Sequence, residues 1–207
     1  MKPYKCVIFD IDGTILDTER MNMIPLQRLI KRELGQDVTY DEILKYRAYP
    51  GKKVIEELGF EDIEATYALW VEGVNSFEEK AGFYDGILEV IQTLATRGVI
   101  CCVSSSKLHP QYLIDFAEHP IDQYMTRVVL AEDTLKHKPD PEPLLKAIEG
   151  LDISVDDCIY IGDMDGDGIA SRAAGIAFGF ALWGAPIIDG INADYYLEHP
   201  KDILSLV

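Results

Sequence analysis

The 207-residue chain is 48% apolar and 27% charged, the profile of a globular protein rather than a disordered one, and suits one large core with a small accessory domain. Its formal charge of −17 argues against nucleic acid or an anionic membrane surface as a partner, and no apolar run approaches the ~20 residues that span a bilayer. That charge also sets a condition on any anionic ligand: local positive charge or a metal ion must offset it at the site.

The first apolar run, Lys5–Phe9, ends at Asp10 and is too short for a secretory signal, so a cytoplasmic location is expected. It reads as a buried strand. Further strands are expected at Val99–Val103, Val128–Leu130, Cys158–Ile161, Ile176–Ala181 and Asp194–Leu197. Between them lie helical patterns. Ile87, Val90, Ile91 and Leu94 form one stripe ending at Gly98, and Leu144, Leu145 and Ile148 form another ending at Gly150. This alternation predicts an α/β fold, a Rossmann-like doubly wound parallel sheet with helices on both faces. From Arg20 to Lys80 no strand is legible. Only helical patterns occur there, punctuated by Gly35, Tyr49-Pro50-Gly51 and Gly59. Residues 18–81 are therefore expected to form a small inserted all-helical cap, with 1–17 and 82–207 as the core. Cys6, Cys101, Cys102 and Cys158 fall in apolar stretches without a Cys-x-x-Cys pair, and read as buried thiols in a reducing compartment.

Four segments carry chemistry. In Phe9-Asp10-Ile11-Asp12-Gly13-Thr14 the period of two puts both carboxylates on one side at a strand end, where open parallel sheets bind ligands. Gly13 then permits a turn. In Ser104-Ser105-Ser106-Lys107, hydroxyls and backbone N–H groups at a strand-to-helix junction make an anion nest. In His137-Lys138-Pro139-Asp140-Pro141-Glu142-Pro143, alternate prolines hold Lys138 rigidly ahead of a helix. In Gly162-Asp163-Met164-Asp165-Gly166-Asp167-Gly168, a second carboxylate cluster follows a strand and suits a hard cation. The aspartate spacing matches the start of a calcium-binding EF-hand loop. Ala174 stands where that loop needs its bidentate glutamate, and a strand precedes it instead of a helix, so that reading fails.

These segments resemble, in the same chain order, the four motifs of the haloacid dehalogenase superfamily, and the phosphoglycolate phosphatase and β-phosphoglucomutase branch in particular. The resemblance covers nearly the whole chain and implies a Mg²⁺-dependent phosphatase of a small phosphorylated metabolite. It makes Asp10 the nucleophile and Asp12 the general acid and base. Mg²⁺ is expected on Asp10, the backbone carbonyl of Asp12, and Asp163, with Asp167 as ligand or supporting partner. Lys138 and Ser104 are expected to neutralise and hold the phosphoryl group, and Gly13, Thr14, Ser105, Ser106 and Lys107 to line its site. Met164 departs from the Ser or Thr common in relatives, and Asp165 carries no assigned role. Asp12 argues against dehalogenation, since a halide leaves unprotonated. A phosphosugar mutase is the principal alternative. That branch carries a cap histidine near Asn22 and a cap arginine soon after a glycine like Gly51, and here Lys52, Lys53 and Val54 follow Gly51. A non-catalytic binding protein would have no need of Asp12. The cap is expected to close over the site, with Glu19, Arg20, Asn22, Arg47 and Lys52 as candidate contacts. Arg47 is the candidate for substrate binding, within a basic group that includes Lys45 and Lys53.

Overall fold

A computed structural model describes residues 2–116, 121–185 and 187–207. In chain order, the chain forms β1 (Cys6–Phe9), β2 (Leu16–Asp17), helices α1 (Glu19–Leu34), α2 (Tyr40–Ile43), α3 (Gly51–Glu57) and α4 (Ile63–Asn75), and then β3 (Gly82–Phe83) and α5 (Ile87–Thr96). There follow β4 (Ile100–Ser104), α6 (His109–Asp115), β5 (Arg127–Val129), α7 (Glu142–Ile148), β6 (Cys158–Gly162), α8 (Asp165–Ala174), β7 (Ala177–Ala181) and β8 (Tyr195–Leu197). Short 3-10 segments cover Leu44–Ala48 and Pro200–Ser205, among others.

The chain divides into two compact units, Met1–Asp17 with Gly82–Val207, and Thr18–Ala81. The first is built on a six-stranded sheet in the order β5-β4-β1-β6-β7-β8, every pairing parallel. The inner strands β1, β4, β6 and β7 are largely apolar runs because both sheet faces are covered there, whereas the edge strands β5 and β8 are only partly buried. Cys6 and Ile8 of β1 join Leu144, Ala147, Ala170, Phe178 and Phe180 in one core cluster with α7 and α8. Val7 and Phe9, equally buried, alternate to the other face, where α5 contributes Ile87, Val90, Ile91 and Leu94, all buried. Leu145 departs from the expected stripe of α7: Leu144, Ala147 and Ile148 are buried, whereas Leu145 is 42% exposed. Adjacent helical positions point about 100° apart, so Ala147 fills the face that Leu145 was expected to share. All four cysteines are buried and unpaired.

Two elements escape the apolar-run reading. β2 and β3 are two residues each and pair antiparallel, with Asp17 opposite Gly82. They are the points where the chain leaves and re-enters this unit.

The second unit is helical around its own core of Met21, Leu26, Ile30, Ile43, Val54, Ile55, Trp70 and Val74. α1 ends at Gly35 in the left-handed conformation, its N–H bonded to the Lys31 carbonyl. Asp62 caps α4 by accepting from the Ala65 N–H, and Thr39 with Glu42 forms a capping box on α2. The Trp70 indole donates to the Asn22 carbonyl at 2.9 Å, which ties α4 to α1. No helix among the described residues is long and apolar enough to cross a membrane.

Candidate active site

β1 lies between β4 and β6, so the segments leaving the carboxyl ends of these strands meet above the middle of the sheet. Strand order reverses there, which opens a crevice of the kind that binds ligands in α/β sheets. Asp10 follows β1 directly, its N–H bonded to the Ile161 carbonyl at 2.9 Å. Asp163 follows β6, and Asp167 lies in the first turn of α8, where its Oδ2 accepts the Met164 N–H at 3.1 Å. One carboxylate oxygen from each of Asp10, Asp163 and Asp167 falls within 4.8 Å of the others, and all three residues are buried.

Lys138 enters this cluster from the segment before α7. Its Nζ lies 3.0 Å from Asp10 Oδ2, 2.7 Å from Asp167 Oδ1 and 2.8 Å from the Tyr160 hydroxyl. An ammonium has three N–H groups, and each has an acceptor here. The Tyr160 hydroxyl also lies 3.1 Å from Asp167 Oδ1 and 3.2 Å from the Ser104 carbonyl. This fully buried phenol thus links β6, β4 and Lys138.

Three buried carboxylates against one ammonium leave a local excess of negative charge. Burial pushes the Asp10 carboxyl up to about 7; Lys138 opposes the shift, and Asp167 and Asp12 add to it. Asp163 is raised well above the ordinary carboxylate range, first by burial and then by Asp167 and Asp10. Lys138 is driven up instead, because its attraction to Asp10 and Asp167 outweighs the cost of burial. Asp163 Oδ1 is buried with no hydrogen-bond partner among the described residues, as are Ser104 Oγ and Thr14 Oγ1. An unsatisfied buried carboxylate oxygen is costly unless a cation or donor meets it. All-oxygen ligands with an uncompensated negative charge fit a hard divalent cation such as Mg²⁺.

The Asp12 carboxylate stands apart from that trio and pairs with Lys107 Nζ at 3.0 Å. Gly13 is in the left-handed conformation (φ 73°), and the space beside its Cα is filled by the Asp163 carboxylate, so a Cβ there would overlap it. Thr14 is buried, and its carbonyl accepts the Trp183 indole N–H at 3.0 Å. Ser104 ends β4, and Ser105 Oγ accepts the Lys107 N–H at 3.3 Å. Ser106 and Asp165 are exposed. Arg47 belongs to the helical unit, where it pairs with Glu19, and Lys52 pairs there with Glu64 at 2.7 Å.

Three features carry no motif that could have announced them. Tyr160 is one apolar-run residue among several. Asp115 lies eight positions beyond Lys107 and pairs with it at 2.6 Å. Trp183 and Gly184 follow β7, and Gly184 is packed against the Gly13 backbone. The Trp-Gly pair just past a strand was the available hint for the last.

Residues 7–181 match the family described as haloacid dehalogenase-like hydrolase. The chain is 28% identical over 211 residues to a phosphoglycolate phosphatase of Xanthomonas campestris pv. campestris, covering 96% of this chain and 94% of the relative. It is 23% identical over 205 residues to the pyrophosphatase PpaX of Halalkalibacterium halodurans, covering 97% and 95%. A solved structure from Lactobacillus plantarum, provisionally named a phosphoglycolate phosphatase, superposes with a TM-score of 0.90 at 25% identity and covers both chains in full.

Proposed function

The chain belongs to the haloacid dehalogenase-like hydrolase family, and we propose that it is a Mg²⁺-dependent phosphatase that releases phosphate from a small phosphorylated metabolite through an aspartyl-phosphate on Asp10. The observation that carries this reading is the buried Asp10 carboxylate, with Lys138 3.0 Å from one oxygen and Asp163 and Asp167 beside it. Asp10, Asp163 and Asp167, with the Asp12 carbonyl, would hold Mg²⁺, which when bound supplies the positive charge that offsets repulsion between a carboxylate and a phosphoryl group.

In the first step an Asp10 oxygen attacks phosphorus and the bond to the leaving oxygen breaks, with Asp12 donating a proton to that oxygen. In the second, Asp12 takes a proton from water, the water oxygen attacks phosphorus, and Asp10 is released with inorganic phosphate. Lys138 holds Asp10 and balances its charge throughout. Ser104 Oγ, buried and unpartnered among the described residues, is a donor for a phosphoryl oxygen. The positive charge required in a chain of −17 is thereby local.

Relatives named as a phosphoglycolate phosphatase and a pyrophosphatase favour a compact, highly charged phosphate as substrate, and favour hydrolysis over the mutase alternative. The four buried, unpaired cysteines support a reducing, cytoplasmic setting. The test is phosphate release from a panel holding phosphoglycolate, pyrophosphate and sugar phosphates, with and without Mg²⁺, for wild type and Asp10→Asn. Release that needs the metal and disappears in the variant is expected; release that survives the substitution would refute the mechanism.

A further inference from the structure

Lys107 is the second ammonium of the core unit to be buried among carboxylates, and the reaction as proposed gives it no proton to move. Its side chain is 6% exposed and its Nζ lies between Asp12 Oδ1 at 3.0 Å and Asp115 Oδ2 at 2.6 Å. The Asp115 side chain is itself only 2% exposed. Burial alone would pull the Lys107 ammonium down, but Asp12 and Asp115 outweigh it and keep the group charged. A lysine held by Asp12 alone would be a flexible chain with one exposed anchor, since the Asp12 side chain is 36% exposed. Asp115 supplies a fixed, buried one. It sits at the end of α6, a helix that begins two residues after Lys107, so backbone and side chain close a short loop around the ammonium.

The consequence falls on Asp12. Its Oδ1 is buried against Lys107, while the side chain as a whole keeps about a third of its exposure, so the oxygen left facing solvent is Oδ2. Fixing one oxygen of a carboxylate fixes the direction of the other, and general acid catalysis depends on that direction. We propose that Asp115 is a positioning residue: it anchors Lys107, and through Lys107 it orients the Asp12 carboxyl toward the leaving group. The inference rests on Asp12 acting as the general acid of the proposed phosphatase.

The test uses leaving groups that differ in their need for a proton. Para-nitrophenyl phosphate expels a stabilised phenolate without help, whereas glycerol phosphate expels an alkoxide that must be protonated. Asp115→Asn is expected to lower kcat/KM on glycerol phosphate by about 10-fold to about 100-fold, part of the range general acids supply, and to leave kcat/KM on para-nitrophenyl phosphate within about 3-fold. The ratio kcat/KM reports formation of the phosphoenzyme and not its hydrolysis, in which Asp12 serves both substrates alike. A loss of folded protein lowers both rates together and does not move their ratio. Should Asp115→Asn not fold, Asp115→Glu carries the test, because it keeps the charge and displaces the carboxylate by one methylene. The same selective loss is expected from it, in smaller measure. An unchanged ratio in the variant that folds would overturn the role of Asp115. A wild-type enzyme that hydrolyses neither compound, nor any member of the metabolite panel, would overturn the phosphatase reading, and the role of Asp115 with it.

Discussion

Gly184, just past β7, packs so closely on Gly13 that a Cβ on Gly184 would overlap the Gly13 carbonyl. The neighbouring Trp183 indole donates to the Thr14 carbonyl at 3.0 Å, so two adjacent residues grip two adjacent residues of the Asp10–Thr14 segment. The Asp163 carboxylate fills the space beside the Gly13 Cα. The loop that bears Asp10 and Asp12 is therefore held by the Trp183 and Asp163 side chains and, at Gly184, by a backbone contact that has no side chain to yield. Gly184→Ala is expected to destabilise the fold by about 1–3 kcal/mol, the usual cost of forcing an extra methyl into packed structure. It should also weaken Mg²⁺ binding, because the displaced loop carries two of the proposed ligands, the Asp10 carboxylate and the Asp12 carbonyl, and touches a third, Asp163. Chemical denaturation and calorimetric Mg²⁺ titration check this; unchanged stability with unchanged affinity would show that the contact is slack.

Lys138 is the counterion of two buried carboxylates, and its removal strands both. Lys138→Met keeps most of the volume and deletes the charge. A loss of about 3–5 kcal/mol is expected in metal-free protein, as for other buried pairs broken on one side. Part of that loss should return on adding Mg²⁺, which supplies charge at the same carboxylates. Urea melts with and without the ion measure both quantities. A loss below about 1 kcal/mol would mean that Lys138 is not the charge that makes burial of Asp10 tolerable.

The Asp10 carboxyl, pushed up to about 7 by burial, has a definite effect on stability in the absence of metal. Between its ordinary value of 3.8 and about 7, the folded protein holds a proton that the unfolded chain has released. Folding is then coupled to proton uptake, so this group's contribution falls as pH rises through that window. Asp10→Asn removes the titrating group. The stability of the variant relative to metal-free wild type should therefore climb from pH 4 to pH 7 and level off above. Mg²⁺ should flatten the difference, since it favours the ionised carboxylate. A difference independent of pH without metal would contradict the buried, crowded setting of Asp10.

Much of this arrangement was legible in the chain itself, for identifiable physical reasons. The inner strands β1, β4, β6 and β7, buried along nearly their whole length, are continuous apolar runs, and the partly buried edge strands β5 and β8 keep enough apolar residues that all six could be read within a residue or two of their ends. β2 and β3 could not, because Leu16-Asp17 and Gly82-Phe83 are too short to show any periodicity. Leu145 was misplaced because a leucine beside Leu144 looks as core-forming as Ala147, and periodicity alone does not say which of the two faces inward. Asp10, Asp163 and Lys138 declare themselves by sitting at strand ends or beside prolines, and the fold brings them together. Asp115 and Gly184 do not declare themselves. Their importance lies in pairing with Lys107 and with Gly13, relations that exist only once α6 and β7 are in place.

The claim on which the rest depends is that Asp10 itself carries the phosphoryl group. Asp12→Asn should slow hydrolysis of that intermediate, since it removes the base for the second step, while para-nitrophenyl phosphate still forms it without an acid. Acid quenching of this variant during turnover, followed by mass spectrometry of its peptides, should find the mass of one phosphoryl group on the peptide bearing Asp10. Hydroxylamine should remove that mass, and a further Asp10→Asn substitution should prevent it. Phosphate release by the wild type with the phosphoryl group on another side chain, or on none in the quenched variant, would contradict it.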